Sequence, residues 1–148
     1  MKVEAARFDD LDILTLYGIL KLRSEVFVVE QNCVYQDIDD VDIRSWHIWQ
    51  TDNDRVIACA RVFEKDLESK TIQIGRVVVA ENYRREGRAS VVMEKAIDVA
   101  KREFGAKKLY LEAQTYAIDF YKQFGFEVCS DEFLEDGIPH VKMEQLCL

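Results

Sequence analysis

The sequence predicts a mixed α/β (α+β) domain, a single sheet with helices on both faces, and three observations carry that expectation. Short β-branched runs such as Val77-Val78-Val79 and Val56-Ile57-Ala58-Cys59-Ala60-Arg61-Val62-Phe63 have the composition of strands. Two longer stretches, near residues 10–30 and 89–104, instead repeat apolar residues at helical spacing. These segments alternate across 148 residues without a repeat, a low-complexity tract or a linker, which suits one domain over 1–148 with a sizeable core.

Taken in order, Lys2 to Phe8 is short enough for a first strand, and Asp9 or Asp10 is placed to cap the following helix. Leu11, Ile13, Leu14, Leu16, Tyr17 and Leu20 give that helix a broad apolar stripe broken only by Gly18, and the pattern runs on through Leu22, Val26 and Phe27. A polar loop follows, in which Asp37, Asp39, Asp40 and Asp42 form an acidic rim. Trp46 to Trp49 and Val56 to Phe63 flank the turn-rich Asp52-Asn53-Asp54 and read as a hairpin. Thr71 to Val79 is the next strand. Val92, Met93, Ala96, Ile97, Ala100 and Phe104 mark a helix that Gly105 stops. Leu109 to Ala113 returns to the sheet, Tyr116 to Phe124 is a short helix ended by Gly125, and Phe126 to Cys129 with His140 to Leu146 complete the sheet.

Composition narrows the function. A formal net charge of −8 disfavours nucleic acid, whose phosphates are met chiefly by Lys and Arg, and favours cationic partners. No apolar run of about 18 residues is present to span a bilayer, and residues 1–7 lack the apolar stretch of a secretory signal, so a cytoplasmic protein without membrane contact is expected. Cys33, Cys59, Cys129 and Cys147 show neither C-x-x-C spacing nor clustering with His47 or His140, so no metal is expected. Cys59 alternates within an apolar strand as a core residue would. Cys33, beside the acidic loop, is either buried or reactive.

One stretch points to a ligand. The strand ending Val77-Val78-Val79 runs through Arg84-Arg85-Glu86-Gly87-Arg88-Ala89 into a helix. At a helix N-terminus the first N–H groups lack intrahelical partners and the macrodipole is positive, so a phosphate is stabilised there. Gly87 permits close backbone approach, and Arg76, Arg84, Arg85 and Arg88 add positive charge. The structural alternative is a solvated, arginine-rich helix start.

About 30 residues on stands a second motif, Ala117-Ile118-Asp119-Phe120-Tyr121-Lys122-Gln123-Phe124-Gly125-Phe126. R-x-x-G-x-A after a Val-rich strand, paired with A-x-x-F-Y-x-x-x-G-F after the next, resembles the GNAT superfamily of acetyl-CoA-dependent N-acyltransferases. Leu22 to Gln31, Gln36 to Asp40 and Asp136-Gly137-Ile138-Pro139-His140 resemble its ElaA-like branch, so the likeness covers nearly the whole chain.

The resemblance implies a mixed, largely antiparallel sheet and acetyl-CoA as co-substrate. It implies that Val77, Val78 and Val79 hold the pantetheine arm and that Arg84, Arg85, Gly87, Arg88 and Ala89 hold the diphosphate; Ala89 replaces a frequent glycine. Tyr121 falls where many relatives carry a tyrosine near the coenzyme sulfur; packing among Phe120, Phe124 and Phe126 is its structural alternative. Asp119 is expected to face solvent. For the general base, Glu112 and Glu30 lead, His47 and His140 follow because histidine is the side-chain type suited to proton relay near neutral pH, and a water chain is a further route. Arg23, Gln31, Asp39, His47 and His140 are assigned to the acceptor pocket, although Arg23 and Glu30 also suit a structural network. The expected reaction is direct transfer, in a ternary complex, to a small or cationic amine or a lysine-like side chain, by a monomer or homodimer. The rival reading is a non-catalytic acyl-CoA-binding sensor or protein-interaction module. A nucleotide-binding domain is disfavoured because G-x-x-x-x-G-K-[ST] and G-x-G-x-x-G are both absent.

Overall fold

The computed structural model describes residues 2–147. Strands β1 (Val3–Arg7), β2 (Trp46–Asp52), β3 (Arg55–Asp66), β4 (Thr71–Val79), β5 (Lys108–Gln114), β6 (Glu127–Val128), β7 (Phe133–Glu135) and β8 (Ile138–Leu146) form one eight-stranded sheet. Its order is β1-β2-β3-β4-β5-β8-β6, with β7 also paired to β8. The β4–β5 pair is parallel and the other ladders are antiparallel, giving the expected mixed, largely antiparallel sheet.

Helices cover both faces. On one, α2 (Arg88–Glu103) buries Val92, Met93, Ala96, Val99 and Ala100 against Ile48, Ala58, Ala60, Val62, Ile74, Leu109 and Leu111. On the other, α1 (Ile13–Arg23) runs directly into a wider π-helical stretch, Ser24–Glu30, and Ile19, Leu22 and Val26 pack on Trp49, Ile57, Cys59 and Val78. The period of two along β3 explains the division, since Ile57 and Cys59 point to one helix layer while Ala58, Ala60 and Val62 point to the other. Short α3 (Ile118–Lys122) follows β5.

Four sequence expectations are corrected. The cap of α1 is Asp12, whose Oδ1 accepts from the Thr15 N–H at 2.7 Å; Asp9 and Asp10 lie in a preceding 3-10 turn. The apolar stripe is narrower than periodicity suggested, because Ile13, Leu14 and Tyr17 are exposed. Gly18 does not weaken the stripe but serves it: an added Cβ would lie 2.7 Å from Val56 Cγ2, so helix and sheet approach closely there. Finally, β7 and β8 make a hairpin through Asp136 (φ 52°) and Gly137 (φ 78°), so the last strand begins at Ile138 rather than His140.

The sheet is interrupted where the candidate site lies. Cys59 pairs with Val78 and Arg61 with Gly75, so Ala60 alone faces both Arg76 and Val77. This is a β-bulge with Arg76 at φ 51°, in the left-handed region. The parallel β4–β5 ladder stops at Gln73 and Tyr110. Beyond those residues the strands no longer pair, and a cleft opens between them.

Candidate active site

The cleft has two chambers. The larger, 660 Å³, is bounded by Val77, Val78 and Val79 of β4, by the loop carrying Arg84, Arg85 and Gly87, and by Arg88 and Ala89 at the start of α2. All eight residues assigned to the coenzyme, from the Val-rich strand and the loop after it, therefore meet in one cavity, with Glu30, Gln31 and Tyr121 on its walls. Gly87, the N-cap of α2, sits at φ 76°, and the helix start has no side-chain cap. An added Cβ at Gly87 would meet no atom within 4 Å, so the backbone there faces open space. A left-handed glycine, uncapped N–H groups and flanking arginines suit a diphosphate.

The arginines differ in their engagements. Arg84 is clasped by Glu30 at 2.7 and 2.9 Å and donates to Val79 O at 3.0 Å. Arg88 reaches Glu86 and Gln50. Arg76 leaves the loop altogether: it lies on the bulge and bonds Asp37 and Asp39. Its charge belongs to a different network.

That network corrects the reading of the acidic loop. Arg23 bonds Asp37 at 2.9 Å and Asp42 at 2.7 Å, and Arg61 bonds Asp39 at 2.6 Å and Asp42 at 2.9 Å. Three guanidinium groups thus face three carboxylates, with Arg23, Asp37 and Asp42 buried. Burial would raise the Asp42 and Asp39 carboxyls, but the arginine hydrogen bonds and charges outweigh it and hold both below the usual range. Asp40 stays exposed. The loop is no acidic rim, and Arg23 and Asp39 pin it to the sheet instead of lining the cleft.

His47 also lies away from the cleft. It is fully buried, it pairs with Arg61 across the β2–β3 ladder, and its Nε2–H donates to Asp42 O at 2.9 Å. Burial lowers its pKa, and Nδ1 has no hydrogen-bond partner among the described residues. A ring sealed in this way cannot carry protons to a cavity it does not touch.

The second chamber, 220 Å³, lies between the diverging strands and is lined by Gly75, Arg76, Glu112, Gln114, Glu135 and His140, among others. Gln31 and Tyr121 bound both chambers. Strand register builds its floor. Glu112 and Gln114 share a face of β5, Gln114 pairs with His140 of β8, and His140 pairs with Phe133 of β7, two residues from Glu135. Glu135 and Gln114 were not singled out from the sequence. The Asp136-Gly137 turn, a strong hairpin signal, was the clue that would have folded Glu135 onto His140.

Tyr121 packs edge-on against Phe120 and Phe126 and also borders both cavities. Burial raises its phenol well above the ordinary value. Glu112 accepts from Tyr110 OH at 2.8 Å, whereas the clasp of Arg84 holds the Glu30 carboxyl below its usual range. Asp119 is exposed. Cys33 is buried against the second chamber with Sγ 3.3 Å from Asp136 O, and burial pushes the Cys59 thiol up to about 12. Among the described residues, no helix is long and apolar enough to cross a membrane.

Comparison with known proteins places this architecture. The pattern of the acetyltransferase (GNAT) domain matches residues 12–147. Protein ElaA of Escherichia coli is 40% identical over 136 residues, covering 90% of this chain and 89% of that protein. A UPF0039 protein of Schizosaccharomyces pombe is 41% identical over 138 residues, covering 92% and 91%. The crystal structure of E. coli ElaA superposes with a TM-score of 0.91 over 97% of this chain and 98% of that one. An acyl-CoA N-acyltransferase from Pseudomonas aeruginosa, 33% identical, does so equally well, at 0.91 over 98% and 99%. This chain belongs to the GNAT acetyltransferase family.

Proposed function

We propose that this protein is an acetyl-CoA-dependent N-acetyltransferase that passes an acetyl group directly to an amine within a ternary complex. The observation that carries the reading is the continuity of the two chambers at Tyr121 and Gln31: a cavity suited to a diphosphate-bearing coenzyme opens onto a second, polar cavity. Direct transfer needs the thioester carbonyl and the amine in one space, and two joined chambers supply it.

The first chamber's chemistry is binding. Backbone N–H groups at the start of α2 and Arg84, Arg85 and Arg88 face the diphosphate, while the edge of β4 that β5 leaves unpaired offers Val77 to Val79 to the pantetheine amides. In the reaction the amine nitrogen bonds to the carbonyl carbon, the C–S bond breaks, and the sulfur takes a proton. Tyr121 is a poor full proton donor, since its raised pKa lies far above the ~8.5 of a thiol. Its role is a hydrogen bond that strengthens as negative charge gathers on sulfur.

The test is a coenzyme-release assay with acetyl-CoA against a panel of primary amines, including lysine-bearing peptides, together with calorimetric titration of coenzyme A. Amine-dependent release that Tyr121→Phe slows supports the enzyme. Coenzyme binding without release for any amine supports the sensor reading instead.

A further inference from the structure

The second chamber holds an unusual pair. His140 is only 8% exposed, and its Nδ1 lies 2.7 Å from Ile138 O. A carbonyl oxygen can only accept, so Nδ1 carries the proton and the neutral ring presents the Nε2 lone pair. The Glu135 carboxylate lies beside that nitrogen, with Oε2 3.6 Å from Nε2. The two acceptors thus lie side by side, just beyond hydrogen-bond distance of each other. The His140 ring is fixed on its other side by Phe133, with ring centroids 5.9 Å apart and an interplanar angle of 26°.

The charges around this pair are unbalanced. Glu112 of β5 and Asp136 of the β7–β8 turn face Glu135 as further carboxylates, and Arg76 of β4 is the cation beside the chamber. Arg76, however, is already engaged by Asp37 and Asp39. The other three bases named from the sequence are less suited: His47 is sealed away from the chamber, Glu30 is committed to Arg84, and Glu112 already accepts from Tyr110.

We propose that the acceptor is a primary ammonium drawn into this chamber by Glu112 and Glu135, and that Glu135 and His140 together take its proton before transfer. The proposal rests on the acetyltransferase reading above and supplies its acceptor class and base. The balance is closed. R–NH3⁺ gives one proton to the pair, and the freed lone pair forms the C–N bond as C–S breaks. A second amine proton goes to sulfur, the third remains on the amide, and the pair returns its proton to solvent. Partial burial and the Glu112 charge hold the Glu135 carboxyl above the usual range, which brings its basicity nearer to neutral pH.

The test compares ethylamine with 2,2,2-trifluoroethylamine, a similarly shaped amine already neutral at pH 7. Each is assayed with the wild type, Glu135→Gln and His140→Gln, and coenzyme A is titrated by calorimetry in parallel. For ethylamine at pH 7, Glu135→Gln should lower kcat/KM by about 100-fold, the usual scale for losing a general base. The deficit should shrink as pH rises and the amine deprotonates itself. For trifluoroethylamine the loss should be under about 3-fold, since no proton need be removed. His140→Gln should follow the same pattern with a smaller loss, and coenzyme affinity should not change in either variant.

Equal losses for both amines, or a loss that pH does not relieve, would overturn the proposal and leave Glu135 a packing residue. A wild type that binds coenzyme yet acetylates neither amine would also overturn it. A wild type that binds no coenzyme would instead remove the acetyltransferase reading itself.

Discussion

Arg84 reaches back to Glu30, 54 residues earlier in the chain, and its two terminal nitrogens lie 2.7 and 2.9 Å from the two carboxylate oxygens. The pair joins the end of the π-helical stretch to the loop before α2, and both residues line the larger chamber. Both side chains are more than a third exposed, at 37% and 36%. The contribution to stability is therefore small, about 1 kcal/mol or less, and the consequence is positional. Glu30→Gln should leave the pH profile of kcat/KM unchanged and turnover within about 3-fold, because a carboxylate committed to Arg84 is a poor base. A large loss relieved at high pH would return Glu30 to that role.

Gly87→Val should lower coenzyme affinity by at least about 10-fold, because the new side chain projects into the space before the α2 N-terminus and the φ of 76° is unfavourable for valine. Arg84→Ala should cost less, about 2- to 5-fold, as one exposed charge among three. Calorimetry of folded variants reads both. Unchanged affinity for Gly87→Val would remove the loop from the coenzyme site.

Tyr121→Phe should lower kcat by about 10-fold or more while leaving the KM for acetyl-CoA nearly unchanged, since the lost hydrogen bond matters chiefly in the transition state. The edge-on contacts with Phe120 and Phe126 survive the substitution, so the melting temperature should hold. Unchanged turnover, with chemistry shown to limit the rate, would reduce Tyr121 to packing.

Arg23→Met leaves Asp37 and Asp42 buried with fewer partners. Breaking a buried ion pair from one side costs about 3–5 kcal/mol, so the melting temperature should fall by roughly 10 °C. The same network sets an acid limit. Asp39 and Asp42 have folded pKa values below their unfolded ones, so their stabilisation is fully present above about pH 4 and is lost as pH falls through the folded values. A melting curve insensitive to pH between 5 and 2 would contradict this.

Asp40→Asn should alter neither stability nor salt dependence appreciably, since Asp40 is exposed beside three aspartates that arginines already neutralise. Asp39→Asn should destabilise by weakening its contact with Arg61. Salt dependence of kcat/KM for a cationic amine should respond instead to Glu112→Gln, whose carboxylate lies in the chamber. If Asp39 and Asp40 alone controlled that dependence, the acceptor would enter elsewhere.

The sheet, the two helix layers and the residues that meet in the larger chamber were legible because each depends on short-range chemistry. β-Branched runs, a 3.6-residue period in α2, and a glycine between arginines at a helix start act over a few residues. The motif pair extended that reading to Tyr121. Which aspartates remain available to a ligand was not legible. Asp37, Asp39 and Asp42 look like surface charge along the chain, and only folding brings Arg23, Arg61 and Arg76 onto them from three separate elements.

By itself, then, the sequence determined the order of elements, the anion-suited loop and the tyrosine at the cavity wall, since each is written in neighbouring residues. The tertiary structure alone decided that His47 is sealed while His140 faces a chamber. Both are histidines in strands, but one lies beneath the 31–45 loop and the other at the open end of β8, where β4 and β5 have parted. The physical reason is that side-chain direction and charge compensation depend on strand register and on contacts between distant segments, and no local pattern encodes a bulge at Arg76 or the pairing of Gln114 with His140.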